Sequence, residues 1–381
     1  MSQEKPLRIL HTISSERWTG VAEPVVSLAR RQEEEGCEVW LACTPGQSFE
    51  RKARIQGIRV TNVLRLNRRG LLTHIRDYAA LRRFVERHQI DVVHAHLLND
   101  HWLSALALTG CRRRPLLVRT FHKVEAPRID RWHRWLFCKK TDQAITTSQQ
   151  LKQMISEKLA LANGAIAVVP GAVNNSRFHP DLDRSIIRTE LELSAEAPVA
   201  GIVARMSPRR GHLWLLDSLP AVYQALPEAR CLLVGRGALK ARIRGMIAIT
   251  PHTGRTFWAG YRTEDLPETY AAFDVALFLG QGSEGSNRSI LEAMAAGRPV
   301  IALNSGAAPD YLEHGVNGLL VPAGDRAALS EALIDLLGDL PRAREMGLRA
   351  RTTVEQTFTE QARAKKTIEV YRAARQQKAD R

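Results

Sequence analysis

The fold is decided by residues 282–301, which are Gly282-Ser283-Glu284-Gly285-Ser286-Asn287-Arg288-Ser289-Ile290-Leu291-Glu292-Ala293-Met294-Ala295-Ala296-Gly297-Arg298-Pro299-Val300-Ile301. An apolar strand ends just before them, near Leu279. The glycine-punctuated loop predicts a helix that begins near Asn287, a good N-cap residue, and stops at Gly297, because Pro299 cannot continue it. In parallel α/β sheets such a helix N-terminus offers free N–H groups and a positive dipole to phosphate.

Two carboxylates bracket the predicted helix N-terminus. Glu284 in the loop and Glu292 in the second turn are suited to hydroxyl groups at two ends of one ligand, a sugar and a ribose. The alternative is a surface carboxylate and a partner of the helix dipole. Arg288 lies between them, where a cation opposes the dipole, so we expect it to contact a bound phosphate.

A second basic loop lies at the exit of another predicted strand and contains Val203-Ala204-Arg205-Met206-Ser207-Pro208-Arg209-Arg210-Gly211-His212. Guanidinium groups match the oxygens of a diphosphate, so Arg205 and Arg210 are predicted to clamp one. The alternative is a solvated basic turn.

Short apolar runs alternate with amphipathic stretches along the chain, which predicts an α/β protein with two Rossmann-like domains of parallel sheet, facing each other across a cleft. We expect a first domain over 1–178, a second over 179–357, and a C-terminal helix in 358–381 that packs back on the first. Helices are predicted at Glu23–Glu35, His74–Gln89 and Glu360–Gln376. The predicted strands are Arg8–Ile13, Glu38–Cys43, Ile58–Val63, Asp91–His96, Leu116–Phe121, Gln143–Thr147, Ala165–Val169, Val199–Val203, Ala229–Val234, Thr256–Ala259, Val275–Leu279, Pro299–Ala302 and Gly318–Val321.

The net charge of +15 is concentrated in the first half, where residues 51–140 carry 21 basic and 6 acidic side chains. Such a field indicates an anionic partner: a phosphorylated glycan, an acidic membrane face or nucleic acid. The basic, aromatic-rich residues 128–140 are either an interfacial segment that docks on anionic lipid or a core-facing helix with solvated charges.

We expect neither a signal peptide nor a membrane-spanning helix. There is no signal-peptide pattern and no apolar run near the ~20 residues that a membrane-spanning helix needs. The five cysteines contain no CxxC pair, which argues against zinc or a disulfide framework. We therefore expect a cytoplasmic protein, or one peripheral on the inner membrane face.

Taken together, the motifs resemble those of GT-B-fold glycosyltransferases of family 4, a large retaining family, over nearly the whole chain. Glu284-x7-Glu292 with residues 293–297 resembles the paired-glutamate motif, and Arg205…Arg210-Gly211 is similar to the diphosphate loop, with Arg210 where Lys is usual. Residues 170–180 resemble the family's interdomain Pro-Asn-Gly-Val segment, and residues 313–322 resemble the family's Gly-x-x-Gly-Leu-Leu-Val strand.

The resemblance also assigns roles to site residues. Gly20, in the loop after the first strand, would approach the donor phosphate, although Val21 replaces a common second glycine; Gly20 is otherwise a turn residue. His122 would lie near the donor sugar or else be a core histidine, and His96 is a weaker candidate than His122. The predicted catalytic residues are His122 and Glu284, and the predicted donor-binding residues are Gly20, Arg205, Arg210, Ser286, Asn287, Arg288 and Glu292.

The resemblance implies retaining transfer of a hexose-type sugar from a nucleotide-sugar to a glycan or lipid-linked acceptor, as in lipopolysaccharide or other cell-envelope polysaccharide synthesis. We expect no metal and no cofactor, because two arginines and a helix N-terminus can stabilise the leaving diphosphate. Asp181-Leu182-Asp183, the one Asp-x-Asp motif, is interpreted as a solvated linker.

Other functions compete with transfer. A nucleotide-sugar epimerase of the same fold is one alternative, and a basic nucleic-acid-binding protein is another, although we expect no nucleic acid because no recognised binding motif is present. A dehydrogenase is disfavoured because Lys240 occupies the third glycine position after Gly235-Arg236-Gly237.

Overall fold

The computed structural model describes residues 5–18, 20–65, 71–122, 130–159, 164–280 and 284–380, with the backbone alone at 71–74 and 284–286. The chain divides into two compact units. The first unit comprises Met1–Gly171, Ser283–Gly285 and Glu360–Arg381, and the second comprises Ala172–Gly282 and Ser286–Thr359. The units meet after residues 171 and 359, whereas the predicted domain boundaries lie after residues 178 and 357.

The strands of the described residues are all parallel to their neighbours. They are β1 (Arg8–Ile13), β2 (Glu38–Cys43), β3 (Val60–Thr61), β4 (Val92–Ala95), β5 (Leu116–Phe121), β6 (Gln143–Thr146), β7 (Ile166–Val168), β8 (Val199–Val203), β9 (Arg230–Val234), β10 (Thr256–Trp258), β11 (Val275–Phe278), β12 (Val300–Leu303) and β13 (Gly318–Val321).

The helices of the same residues connect these strands. They are α1 (Ala22–Glu34), α2 (Ser48–Ile55), α3 (Leu71–Arg87), α4 (Leu98–Leu108), α5 (Arg131–Trp135), α6 (Gln149–Leu159), α7 (Ser185–Glu190), α8 (His212–Ala225), α9 (Lys240–Ile247), α10 (Leu266–Ala271), α11 (Glu284–Ala295), α12 (Ala308–Tyr311), α13 (Arg326–Gly338), α14 (Leu340–Thr357) and α15 (Glu360–Ala379). A π-helical turn, Leu136–Lys140, extends α5, and a 3₁₀ turn, Pro208–Arg210, precedes α8.

Both sheets have the doubly wound order of a Rossmann fold. The order is β3-β2-β1-β4-β5-β6-β7 in the first unit and β10-β9-β8-β11-β12-β13 in the second. In each sheet the strands are added in one direction up to β1 or β8 and in the opposite direction from β4 or β11 onward. Ligands bind at the carboxyl ends of the strands at such switch points. The predicted α/β architecture with two Rossmann-like domains is confirmed.

Each face of the second sheet is buried, as a parallel sheet covered by helices requires. Along β8, Val199 contributes to the apolar cluster on one face, while Ala200 and Ile202 contribute to the cluster on the other. Gly201 faces the same cluster as Val199, and the ring of Phe273 fills the space that a side chain would occupy there.

The C-terminal helix α15 packs on the first unit, which confirms the predicted return. Glu360 at its start accepts hydrogen bonds from Arg30 and Arg31 of α1. Arg363 donates to the carbonyl of Pro24 at 2.9 Å and to Ser27 Oγ at 2.7 Å. Further along, the apolar cluster of the first unit includes Ile368, Tyr371 and Ala374.

One predicted helix start is wrong. Helix α11 begins at Glu284 and places Asn287 inside its first turn, so Asn287 is not the N-cap. Its end agrees with the prediction, since Gly297 has the left-handed φ of 69° that follows a helix C-terminus. No helix among the described residues combines the length and apolar character that a membrane span demands.

Candidate functional site

Three loops at the carboxyl edge of the second sheet approach one another so closely that only glycine fits at their contacts. They follow β8, β9 and β11 on the two sides of the point where the strand order reverses. At each contact a Cβ would lie closer than 3.0 Å to a backbone oxygen of a neighbouring loop. The contacts pair Gly211 with Leu279, Gly235 with Ala204, and Gly280 with Arg209.

The two predicted diphosphate-binding arginines lie on the loop after β8. Arg205 is exposed and Arg210 is half-buried. Burial, and next the positive charge of nearby Arg205, lower the pKa of Arg210, so the two guanidinium groups are neighbours. The backbone and side chain of Arg210 pack against Gly280, four residues before α11 begins. The structure thus brings both arginines and the approach to this helix together within the second unit.

The first turn of α11 contains a buried amide. Asn287 is 2% exposed, and its Oδ1 has no hydrogen-bond partner among the described residues. Leaving such an acceptor unpaired costs about 1–3 kcal/mol, so a ligand hydroxyl or N–H would find a ready partner here. The sequence predicted Asn287 as a donor-binding residue, and this geometry is compatible with that role.

Glu292 has protein partners that the sequence did not indicate. Arg288 donates to its Oε1 through Nη2 at 3.0 Å, and Tyr270 donates to its Oε2 at 3.1 Å. Burial and the Glu292 charge raise the pKa of Tyr270 well above its ordinary value, so its hydroxyl keeps its proton. Arg288 Nε also donates to Oε1, at 3.3 Å, so of the carboxylate's about four acceptor positions these bonds leave room for a ribose hydroxyl. Two contacts stay predictions: that of Arg288 with a phosphate and that of Glu292 with ribose.

Three further candidates are placed less fully. The side chains of Glu284 and Ser286 lie outside the described residues, although the backbone of both belongs to α11. Gly20 is exposed and lies two residues before α1, in the loop that follows β1.

His122 follows β5 in the first unit and is one end of a row of buried histidines. Its Nε2 is 3.0 Å from Nδ1 of His96, and Nε2 of His96 is 2.9 Å from Nδ1 of His11. The row continues into α1, where Oε1 of Gln32 is 2.7 Å from Nε2 of His11. Because β1, β4 and β5 are neighbours in the sheet, side chains near their carboxyl ends meet on one face.

A second row starts at the same glutamine. Nε2 of Gln32 donates to the hydroxyl of Tyr371 on α15 at 3.3 Å, and that hydroxyl is 2.6 Å from Nδ1 of His94. Nε2 of His94 is 2.7 Å from Oγ1 of Thr120. The two rows together form what we call the histidine chain, with Gln32 at its junction: Thr120, His94, Tyr371, Gln32, His11, His96 and His122.

Burial keeps the three inner histidines of this chain, His11, His94 and His96, uncharged at neutral pH. It lowers the pKa of His11 to about 4 and those of His94 and His96 well below the ordinary value, and the positive charge of Arg363 acts in the same direction on His11. A cavity of about 20 Å³ lies beside His94, His96 and His122. A water molecule fits in that volume and a sugar does not.

Two groups could be considered for a metal. The ring nitrogens of His11, His94 and His96 offer ligand atoms within 4.8 Å of one another. All six of these nitrogens already take part in hydrogen bonds, which a metal would have to replace. In the Asp-x-Asp motif, Asp181 is 91% exposed and Asp183 accepts from the backbone N–H of Ser185, as a solvated linker does.

The described part of the basic, aromatic-rich segment, residues 130–140, combines both predicted environments. Trp132 is 58% exposed, with the guanidinium of Arg131 4.9 Å from its ring centroid. Trp135 stacks on Trp102 at a centroid distance of 6.0 Å, and Phe137 is buried. One face of the segment therefore packs on the unit, while Trp132 remains on the surface.

Comparison with known families accounts for most of the chain. Residues 18–177 match the model of glycosyltransferase family 4, and residues 197–339 match that of the glycosyl transferases group 1. The chain is a family 4-like glycosyltransferase. This confirms the resemblance carried by the glutamate and arginine motifs.

Relatives and solved structures agree with this assignment. The chain is 32% identical over 200 residues to a GDP-mannose-dependent alpha-(1-6)-phosphatidylinositol monomannoside mannosyltransferase of Mycobacterium tuberculosis, covering 50% of this chain and 51% of that protein. It is 28% identical to a D-inositol 3-phosphate glycosyltransferase of Nocardia farcinica, covering 87% and 78%. A glycosyltransferase structure from Rickettsia africae superimposes with a TM-score of 0.85 at 20% identity, covering 97% and 99%, which shows the GT-B fold. The match spans about half the length of the mycobacterial relative.

Proposed function

We propose that this family 4-like glycosyltransferase transfers a hexose from a nucleoside-diphosphate sugar to a glycan or lipid-linked acceptor, with retention of anomeric configuration. The observation that carries the proposal is the pair Arg205 and Arg210, which lie together beside the approach to α11 at the carboxyl edge of the second sheet. Two neighbouring cations are stabilised by a bound anion, and a diphosphate offers one of matching charge.

The role of each remaining residue follows from the chemistry of its group. As sugar transfer begins, negative charge develops on the leaving diphosphate, which Arg205, Arg210 and the N–H groups of α11 would stabilise. Glu292 and Asn287 present oxygen acceptors suited to hydroxyl groups of the donor. We assign Glu284 and His122 to the donor sugar, and Gly20, Ser286 and Arg288 to donor binding, as the sequence motifs imply.

Donor binding is expected to raise the melting temperature only for ligands that contain a diphosphate. GDP-mannose and UDP-glucose are the probes, with free mannose, free glucose and the nucleoside monophosphates as controls. At a hundred times its dissociation constant a donor adds about 2.7 kcal/mol to stability. A thermal scan measures this as a shift of roughly 5 °C or more for a domain of this size.

The same assay tests metal independence, which we propose because the two arginines supply the positive charge. Adding EDTA is expected to leave both the thermal shift and the release of GDP from GDP-mannose unchanged. Strict dependence of that release on a divalent cation would contradict the proposed mechanism. A shift of equal size with the free sugars would contradict the diphosphate site.

We propose further that the acceptor is anionic and that the first unit meets it at an anionic membrane surface, as in cell-envelope or lipopolysaccharide synthesis. Support comes from charge and from exposed apolar side chains in the same segment, residues 51–140. These large apolar residues are Ile55, Ile75, Leu98, Leu106 and Trp132, with 39% to 83% of their surface exposed. The names of both relatives described above contain inositol acceptors, one phosphorylated and one a phospholipid.

The protein is expected to float with vesicles that contain anionic phospholipid and to remain in solution with purely zwitterionic vesicles. Trp132→Ala removes an exposed interfacial anchor and should lower the partition coefficient onto anionic vesicles by about fivefold, since interfacial aromatic side chains contribute roughly 1 kcal/mol. Leu348→Ala, which truncates a 56% exposed apolar residue in the second unit, serves as the matched control. Equal flotation on both lipid compositions would contradict membrane docking through charge.

A further inference from the structure

The second unit contains a cluster of arginines at the amino edge of its sheet, the edge opposite the candidate donor site. The members of this arginine cluster are Arg184, Arg188, Arg298 and Arg344. Buried Asp274 lies among them, immediately before β11, and its backbone N–H donates to the carbonyl of Val199 at 2.8 Å. At about 3.3 Å of rise per residue, β11 places Asp274 roughly 15 Å from the loop that packs against Arg210. The cluster is therefore separate from the predicted diphosphate clamp.

Two members of the cluster already use the carboxylate of Asp274. Its Oδ1 accepts from Nη2 of Arg184 at 3.2 Å, and its Oδ2 accepts from Nη2 of Arg188 at 2.8 Å. The backbone N–H of Val199 also donates to Oδ2, at 2.9 Å. Exposed Glu196 adds a second negative charge near Arg188. These two carboxylates offset the charges of Arg184 and Arg188 and leave little for any further cation.

Backbone packing brings the other two members together. Gly347 of α14 lies so close to the loop before β12 that its Cβ would be 2.1 Å from the carbonyl oxygen of Gly297 and 3.0 Å from Cδ of Pro299. Arg298 lies between those two loop residues. Arg344 precedes Gly347 by three residues, and residues at that spacing share one face of a helix. The face of α14 that carries Arg344 is thus the face that packs against the loop of Arg298.

The charges of these two arginines are not offset by ion pairs. Among the described residues neither Arg298 nor Arg344 forms one, and Nε of Arg298 is buried without a hydrogen-bond partner. Burial lowers the pKa of Arg298 to about 10, and the charge of Asp274 acts in the opposite direction. The positive charges of Arg184, Arg188 and Arg344 lower that pKa further. Arg298 therefore keeps its charge at neutral pH beside three like charges, a situation that a bound anion relieves.

We propose that Arg184, Arg298 and Arg344 form a second anion site, which binds the phosphate group of a small soluble ligand. Guanidinium groups match phosphate oxygens in both charge and geometry. The side chain of Arg184 is 32% exposed and Arg298 is partly buried, so the ligand has to enter a recess. Free phosphate or a phosphate monoester fits such a recess better than a membrane surface does. Bound there, the phosphate links the segment before α7, the loop before β12 and helix α14.

This site goes beyond the proposed function and lies wholly within the second unit, so it can be tested without a sugar donor. Inorganic phosphate is the probe, added to the full-length protein at constant ionic strength with chloride as the replaced anion. At ten times its dissociation constant, a ligand that binds only the folded state lowers the unfolding equilibrium constant by about tenfold. Hydrogen exchange of the most protected amides in β8, β11 and β12 should slow by the same factor of about ten.

Arg344→Gln is the sharpest variant, because the side chain is exposed and its removal breaks no ion pair among the described residues. Without phosphate it removes a like charge, so the melting temperature should stay unchanged or rise. With phosphate it should weaken binding by about tenfold, the effect of losing one hydrogen bond between charged groups. Arg298→Gln, at the partly buried centre of the site, should weaken binding by at least as much.

The matched control is Arg349→Gln, which removes an exposed cation from the same helix. Arg349 is paired with Glu345 and donates to the carbonyl of Val316, outside the cluster. This variant should keep the wild-type affinity for phosphate. Arg210→Ala separates the two anion sites, since phosphate should still slow exchange in that background and Arg344→Gln should still weaken the effect there.

Three results would overturn the second anion site. The first is a phosphate effect that disappears in Arg210→Ala and persists in Arg344→Gln, because the anion would then bind only at the carboxyl edge. Equal weakening by Arg344→Gln and Arg349→Gln is the second, since it shows a general charge effect. The third is reduced flotation of Arg344→Gln on anionic vesicles with unchanged phosphate affinity, which would assign the cluster to a lipid head group. Failure of GDP-mannose to act as a donor would contradict the proposed function and leave these results unaffected.

Discussion

Replacing Arg210 by alanine is expected to lower kcat/KM for the nucleotide-sugar by about 100-fold. Removing one preorganised group that stabilises developing negative charge typically costs two to three orders of magnitude in rate. Arg210 is half-buried, so its charge acts in a medium less polar than water, and Arg205 alone would not restore the field. The measurement is the initial rate of GDP release from GDP-mannose across donor concentrations.

The loop itself supplies the controls for Arg210. Arg209→Ala removes the adjacent, exposed cation on the same 3₁₀ turn and should change kcat/KM by less than about threefold if charge far from the donor is screened. Arg210→Lys retains the charge but loses the planar fork, so an intermediate loss of about tenfold is expected. Equal losses in Arg209→Ala and Arg210→Ala would show a general charge effect and not a diphosphate clamp.

Much of the fold was predictable because parallel strands buried on both faces are continuous apolar runs. Five predicted strands, among them Arg8–Ile13 and Val199–Val203, have the bounds that the structure shows. The edge strand β3 is shorter than its predicted span of 58–63, since only Val60–Thr61 pairs with a neighbour. An edge strand receives hydrogen bonds on one side alone, so sequence pattern says little about where its pairing ends.

The start of α11 was mispredicted because two local rules compete there. Asn287 is a favoured N-cap residue type, but Ser283 is one too, and it immediately precedes the observed first residue, Glu284. Capping preference is worth about 1 kcal/mol and cannot by itself choose between two such positions. The consequence for the site is that Asn287 is not the N-cap residue. It lies in the first turn of α11, with its side chain buried.

The histidine chain could be predicted only in part. The motif resemblance singled out His122, with His96 as a weaker candidate, and residues two apart such as His94 and His96 share one face of a strand. The contribution of His11 depends on the sheet order, which places it opposite His94 in register. Tyr371 lies 277 residues beyond His94, and no local pattern in the sequence connects a tyrosine of the last helix with a strand end in the first unit.

The arginine pair was predictable from its motif, and its supporting glycines were not. Gly211 was predicted within a basic loop, but the sequence does not reveal that its neighbour in space is Leu279. Close approach between these loops is a property of the sheet order. Strands β8 and β11 are adjacent in the sheet, although 71 residues lie between Val203, where β8 ends, and Val275, where β11 begins. Backbone proximity of this kind becomes visible only when the strands are assembled.

Gly211→Ala is expected to destabilise the second unit by about 2 to 5 kcal/mol and to abolish donor binding. Gly211 has a φ of 75°, where a side chain costs about 1–2 kcal/mol, and its Cβ would also overlap Leu279. Such overpacking adds roughly 1–3 kcal/mol, because the loop after β11 must shift. That shift moves Gly280 and Arg210, which pack against each other, so the diphosphate site loses its geometry together with the stability.

Gly254→Ala separates strain from overlap. Gly254 belongs to the same unit and has a nearly identical φ of 70°, yet nothing lies within 4 Å of its Cβ position. It should therefore cost only the backbone term, about 1–2 kcal/mol, and leave the donor-induced thermal shift intact. Hydrogen exchange in the peptides of β8 and β11 measures the stability of the second unit separately from the first. Equal destabilisation by the two substitutions would mean that the loops after β8 and β11 do not depend on each other, and the arginine pair would then need another source of support.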